Sequence, residues 1–245
     1  MVRIPLALAL LAAAVIPTGE IQVGTVIPIM LNSRLNAAKD SPGHKITGRV
    51  MQKITLPGGA INEGARIVGH IVSATKPGES GSSIVLRFDA IEDGERRFPI
   101  ATNLLAVAAM QRISEAKSPI SLNSDRDPQN QWVTRQIGGD VVRRSVHAAA
   151  SKDGVMGTWL EGSSVLMKLT PNPKAGCSGG PGYDRQQAVW VFSSAACGTY
   201  GLGETKITNS KESNSSGQIM LSSPGKVVVG AGSGWLLITI ADNGS

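Results

Sequence analysis

Between residues 21 and 100 the chain is interrupted by Gly, Pro, Asn or Asp so often that only segments of strand length survive between the breaks. Val26-Ile27-Pro28-Ile29-Met30-Leu31 is a short apolar run. Its Pro28 has no N–H to give to a ladder, which predicts an edge strand or a bulge. Residues 45–51 and 53–55 alternate polar with apolar, residues 56–60 turn the chain, and residues 65–72 read as a further strand. Residues 76–82, with Pro77, Gly78 and Gly81, read as a loop. Residues 84–91 are strand-like and meet residues 96–100 across Asp93-Gly94, a dipeptide suited to a tight hairpin. Strands this short and this regularly spaced predict a mainly β fold, a small β-barrel or sandwich followed by one helix and a second β-rich region.

The helix is predicted over residues 104–117. Leu104, Leu105, Val107, Ala108, Ala109, Met110 and Ile113 form its apolar side, Arg112, Glu115 and Lys117 its wet side, and Ser118-Pro119 its stop. Residues 122–131, polar and carrying Pro128, read as a linker. That places a β-barrel-like domain ending in a helix at 20–120 and a β-rich domain at 121–245. In the latter, strand candidates lie at 132–137, 141–144, 164–169, 188–192, 206–208, 219–221, 226–229 and 235–240. The last two read as a terminal hairpin around the Gly-rich residues 230–234. Trp235-Leu236-Leu237-Ile238-Thr239-Ile240 has a single polar side chain, which predicts a strand covered on both faces.

Composition narrows the partners. Hydrophobic residues are 41% of the 245, too many for a disordered chain, and the 29 Gly and 13 Pro follow no triplet repeat, which excludes collagen. The net charge of +6 is dispersed: 12 Lys/Arg against 8 Asp/Glu in residues 21–120, and 11 against 9 in residues 121–245. Without a basic stripe or tail, no nucleic-acid partner is expected.

Met1-Val2-Arg3 precedes an uncharged apolar run from Ile4 to Ile16, shorter than the about 20 residues a membrane span needs. Ala12-Ala13-Ala14 supplies the small residues of a cleavage site. Residues 1–19 therefore read as a signal peptide. The mature chain is expected to be periplasmic or secreted, without a membrane span and with envelope proteins as its partners. The two cysteines, Cys177 and Cys197, are expected to form a disulfide, worth roughly 3 kcal/mol in the chain-entropy model. His44, His70 and His147 lie in unrelated segments without zinc-ligand spacing, so no metal or cofactor is expected.

Gly176-Cys177-Ser178-Gly179-Gly180-Pro181 resembles the nucleophile loop of trypsin-like serine proteases, which reads Gly-Asp-Ser-Gly-Gly-Pro. The resemblance implies a nucleophilic Ser178 beside an oxyanion hole. The preceding residue is Cys177 rather than Asp, and none of the three histidines stands in the Ala-Ala-His-Cys context of that family. Read from the residues alone, the run is a Gly/Ser-rich loop anchored by a disulfide, with Ser178 as the one catalytic candidate. Gly138-Gly139-Asp140 reads as a turn and Arg143-Arg144 as a solvated strand face. Gly201-Leu202-Gly203 lacks the third Gly of a dinucleotide loop, and Glu92/Asp93 lie in an expected exposed turn.

A second resemblance covers about residues 24–110. Gly24-Thr25-Val26-Ile27-Pro28, Gly43-His44-Lys45-Ile46-Thr47-Gly48-Arg49-Val50, Pro57-Gly58-Gly59 and Gly64-Ala65-Arg66-Ile67-Val68-Gly69 come in that order, followed by Val85-Leu86-Arg87-Phe88-Asp89-Ala90-Ile91 and Asp93-Gly94. This resembles the barrel domain of TrbI-like subunits of type IV secretion machines. It implies a barrel-like architecture and structural, protein–protein work, with no catalytic residues to carry over. Residues 121–245 do not match, and the family's spanning helix and Pro-rich stalk have no counterpart here. The first reading is thus an exported, non-catalytic binding or structural module; a serine hydrolase using Ser178 and an assembly subunit related to the secretion barrels are the alternatives. Intact-mass measurement of the exported chain is expected to show loss of residues 1 to about 19. A mass that retains Met1-Val2-Arg3 overturns the signal peptide.

Overall fold

The computed structural model describes residues 20–117, 120–121, 132–135, 137–138, 141–144, 149–151, 154–159, 166–169, 188–193, 196–210 and 217–241. The expected signal peptide lies outside them, as do His147, Cys177 and Ser178. The first half is built of β1 (Val26–Leu31), β2 (Leu35–Asn36), β3 (Lys45–Val50), β4 (Ile54–Leu56), β5 (Gly59–Ile61), β6 (Arg66–Gly78), β7 (Gly81–Asp93), β8 (Arg96–Pro99) and β9 (Thr102–Ala108). The helix α1 (Met110–Lys117) follows, and then β10 (Ile120–Ser121), β11 (Trp132–Arg135), β12 (Val141–Arg144), β13 (Ala149–Ser151), β14 (Gly154–Trp159) and β15 (Leu166–Leu169). The chain closes with β16 (Ala188–Val189), β17 (Phe192–Ser193), β18 (Gly198–Tyr200), β19 (Lys206–Asn209), β20 (Gln218–Ser223), β21 (Val228–Val229) and β22 (Gly234–Thr239).

The fold is mainly β, as expected. Its frame is a ten-stranded mixed sheet in the order β18-β9-β22-β1-β3-β6-β7-β20-β19, with β8 paired to β7. Every neighbouring pair is antiparallel except β18 on β9. Six of these strands precede residue 120 and four follow it, so the sheet crosses the expected domain boundary. Between β9 and β18 the chain makes an excursion that holds α1, a six-stranded sheet ordered β10 to β15, and the β16–β17 hairpin.

The frame curls until its ends meet. Among the described residues no backbone ladder joins β19 to β9; one side chain bridges them instead. Leu104 N–H donates to Asn209 Oδ1 at 2.8 Å, and Asn209 Nδ2 donates to Leu104 C=O at 3.0 Å. The Asn209 amide thus stands in for one residue of a missing strand. Inside the curl Ile27, Ile29, Ile46, Ile67, Ile84, Leu86, Phe88, Ile219, Leu221, Trp235 and Leu237 form one core, all at most 1% exposed.

The terminal strand is covered on both faces. Trp235 and Leu237 point inward, Trp235 meeting Phe88 edge-on at 6.0 Å, while Leu236 joins a second cluster with Ile113, Trp190 and Phe192 on the outer side. It is not half of a terminal hairpin, however: β22 lies between β1 and β9, and β21 pairs with β2. A strand apolar on both faces needs a neighbour on each edge and a layer on each side, which a two-stranded ribbon cannot supply.

Three further expectations change. Pro28 sits inside the sheet, between β22 and β3; its carbonyl receives Met51 N–H at 2.8 Å, so its nitrogen faces the place where β3 has already ended. Residues 76–82 are not a loop: β6 and β7 run to Gly78 and Gly81, pairing across a two-residue tip. The helix is half the expected length. Residues 102–108 form β9, where a bulge between the Leu236 and Leu237 pairings leaves Leu105 as an extra residue. Leu104 and Val107 consequently face the inner core, and Leu105, Ala106 and Ala108 the outer one. That spacing of three and four imitates a helix.

Asn209→Ala leaves the Leu104 N–H and C=O unpaired at the seam. It is expected to cost about 1–3 kcal/mol in urea unfolding, whereas exposed Thr208→Ala stays within about 0.5 kcal/mol. Equal midpoints for the two variants would remove the seam from the stability of the sheet.

Candidate functional site

The excursion leaves the frame from β9 and returns beside it as β18, and the strands' ends are tied together. Ala109 N–H donates to Tyr200 C=O at 2.8 Å, which fixes the start of α1 against the end of β18. From there α1 lays Ile113 and Ala116 on the outer face of the sheet and turns Arg112 and Glu115 away from it. Arg112 Nη1 donates to Glu115 Oε2 at 2.9 Å and Gln111 Nε2 to Glu115 Oε1 at 3.2 Å. The Arg–Glu pair is largely solvated, with side chains 55% and 38% exposed, so its contribution is at most about 1 kcal/mol.

Between this helix, Ile137-Gly138 and the end of β18 lies an open cavity of about 340 Å³. Arg112, Glu115, Ala116, Ile137, Gly138 and Tyr200 line it, with Thr199 and Gly201. Two glycines set its shape. Gly138 (φ 76°) lets Tyr200 approach: a Cβ there would stand 2.6 Å from the Tyr200 hydroxyl and 2.7 Å from Ala196. Gly201 (φ 71°) lets the Arg112 stem lie across it, where a Cβ would meet Arg112 Cγ at 3.0 Å. Both conformations are in the region that side-chain-bearing residues rarely adopt.

Tyr200 is the polar centre of the cavity. Its Oη accepts from Cys197 N–H at 3.2 Å, so its own proton points elsewhere. Burial raises the phenol above its ordinary range, and the Cys197 hydrogen bond opposes this without overcoming it. The group is a neutral hydrogen-bond donor throughout the physiological range.

Of the candidates read from the sequence, His44 and His70 are held on the sheet by carboxylates. His44 Nδ1 lies 3.2 Å from Asp40 Oδ1, and His70 Nδ1 2.8 Å from Asp89 Oδ2, with Arg87 Nε 3.8 Å from the other Asp89 oxygen. Among the described residues neither histidine hydrogen-bonds a Ser, Thr or Cys side chain, and no three His, Cys, Asp or Glu side chains gather as a metal site. Glu92 and Asp93 are paired rather than free. Glu92 meets Arg66 and Arg97, and Asp93 meets Arg96 and Asn62. Burial would raise the Asp93 pKa, but the Asn62 hydrogen bonds and the Arg96 guanidinium outweigh it and lower it. Gly201 and Gly203 turn the chain from β18 to β19. Arg143-Arg144 is in β12, as expected of a strand, and Gly138 adopts the positive φ expected of a turn. Gly139, Asp140, His147, Cys177 and Ser178 lie outside the described residues.

Sequence reasoning did not single out Tyr200, and read Gly138 only as part of a turn and Arg112 only as part of a wet helix face. The available signal was one of two tyrosines beside a Gly-x-Gly turn. No described helix is long and apolar enough to cross a membrane. Comparison with protein-family models, curated proteins and solved structures finds no match.

Cys197, three residues before Tyr200, is not a free thiol; the Cys177 end of the expected bridge lies outside the described residues. Labelling with a thiol reagent under denaturing, non-reducing conditions is expected to find no reactive cysteine. Two labelled cysteines would rule the bridge out.

Proposed function

We propose that the chain is an exported, non-catalytic β module of the cell envelope that works by binding or by structural support. The observation that carries this reading is the topology of the frame. The first and last strands are neighbours, and a long excursion departs from and returns to a single strand, β9. A frame of that kind holds an inserted segment by both of its ends, which suits a presenting or scaffolding role.

Three features support it further. The run from Ile4 to Ile16 supplies a route of export. A Cys177–Cys197 bridge, closing the return of the excursion, suits an oxidising compartment. Both described histidines are engaged by aspartates, His70 across strands by Asp89 and His44 by Asp40 four residues before it, an anchoring role rather than one in activating a nucleophile. The TrbI-like resemblance of residues 24–110 falls on strands of the frame, and the work of that family is structural.

The test follows the tagged full-length chain in a Gram-negative host. A processed chain in the envelope or periplasmic fraction, cross-linked there to a discrete partner, is the expected result. A chain that remains unprocessed in the cytoplasm overturns the location. Labelling by a fluorophosphonate probe that disappears in Ser178→Ala overturns the non-catalytic assignment in favour of a serine hydrolase.

A further inference from the structure

We propose that the cavity beside Tyr200 binds a small zwitterion, a free α-amino acid with an apolar side chain. This is independent of the envelope role and stands whichever partner the frame takes. The cavity offers one cation, one anion, one neutral donor and an apolar floor. These are the Arg112 guanidinium, the Glu115 carboxylate, the Tyr200 hydroxyl, and Ile137 with Ala116.

The first three are placed together by the backbone. The Arg112 stem crosses Gly201, the residue after Tyr200, where a Cβ would meet its Cγ and Nε, and Arg112 and Tyr200 line the same cavity. The Tyr200 oxygen is already occupied as an acceptor by Cys197 N–H, which leaves its proton to donate. A ligand carboxylate satisfies both of these donors, and carboxylates favour such charge-assisted contacts. Glu115 is one turn from Arg112 and takes a ligand ammonium beside Gln111. A simple anion would meet the repulsion of Glu115, and a simple cation that of Arg112; only a ligand with both charges is matched twice. The existing Arg112–Glu115 pair is solvated, so its exchange for ligand charges is undemanding. At about 340 Å³ the cavity is at the small end of ligand sites, the scale of an amino acid rather than a nucleotide cofactor.

The test titrates the full mature chain with L-leucine by calorimetry and by ligand-observed NMR. Two analogues accompany it: isocaproate, which lacks the ammonium, and isoamylamine, which lacks the carboxylate. L-Leucine is expected to bind, with each analogue at least about tenfold weaker. Arg112→Gln and Tyr200→Phe are expected to weaken leucine binding while isoamylamine is unaffected. No leucine signal at about 10 mM overturns the proposal, and so does an analogue that binds as well as leucine. Because the analogue series uses the unaltered protein, the result stands even where a variant fails to fold.

Discussion

Strand β22 has to be buried on both faces and paired on both edges, and the positions of most other elements follow from that requirement. Trp235 and Leu237 need the inner core, which the strands from β1 to β7 and β20 provide around Phe88. Leu236 needs a second layer, which Ile113, Trp190 and Phe192 of the excursion supply. Burying each such side chain contributes about 1.5–3 kcal/mol, so the strand as a whole is comparable to the about 5–15 kcal/mol by which a domain is stable. The chain's last strand is therefore tied to its first, and strands from before residue 109 and after residue 197 share one sheet.

The outer layer fits because Gly234 has no side chain. A Cβ there would stand 2.3 Å from Ile113 Cδ1 and 2.9 Å from the Trp190 ring. Trp190 reaches this place from the tight β16–β17 turn at φ 56°, an unusual conformation for a residue of its size. Its N–H donates to Gln52 Oε1 at 2.8 Å, its ring packs near Phe192, and Lys117 Nζ lies 5.0 Å above it. Strain of about 1–3 kcal/mol is offset by a tryptophan left only 7% exposed and held from three sides. The turn fixes the returning excursion at the layer that β22 requires.

Strand content was legible because Gly, Pro and Asp-Gly punctuation is local: the Asp93-Gly94 hairpin and the two-sided burial of residues 235–237 are written in neighbouring residues. What was not legible depends on partners distant in sequence. The bulge at Leu105 exists because β22 lies opposite, and it turns a strand into an apparent helix of spacing three and four. Gly230-Ala231-Gly232 looks like a hairpin turn, yet it connects strands of two different sheets. The cavity was invisible for the same reason. Arg112 and Tyr200 come to one cavity only where β18 returns to β9, and Gly138 is needed because Tyr200 and Ala196 close in on it there.

The charges show what register can do with a dispersed sequence. Pairing aligns Arg49, Arg66, Glu92 and Arg97 in one row across β3, β6, β7 and β8, and Lys45, His70 and Arg87 in another. A basic stripe would result if the acids lay elsewhere. Instead Glu92 sits between Arg66 and Arg97, and Asp89 between His70 and Arg87. Each exposed pair contributes at most about 1 kcal/mol, so they matter less as stabilisers than as markers of register. A slip of one residue between β6 and β7 would carry Glu92, with its β8 partner Arg97, to the opposite face and part it from Arg66, adding a lost ion pair to the misplacement of the apolar face. The outer row therefore reinforces the same alignment that the inner core demands.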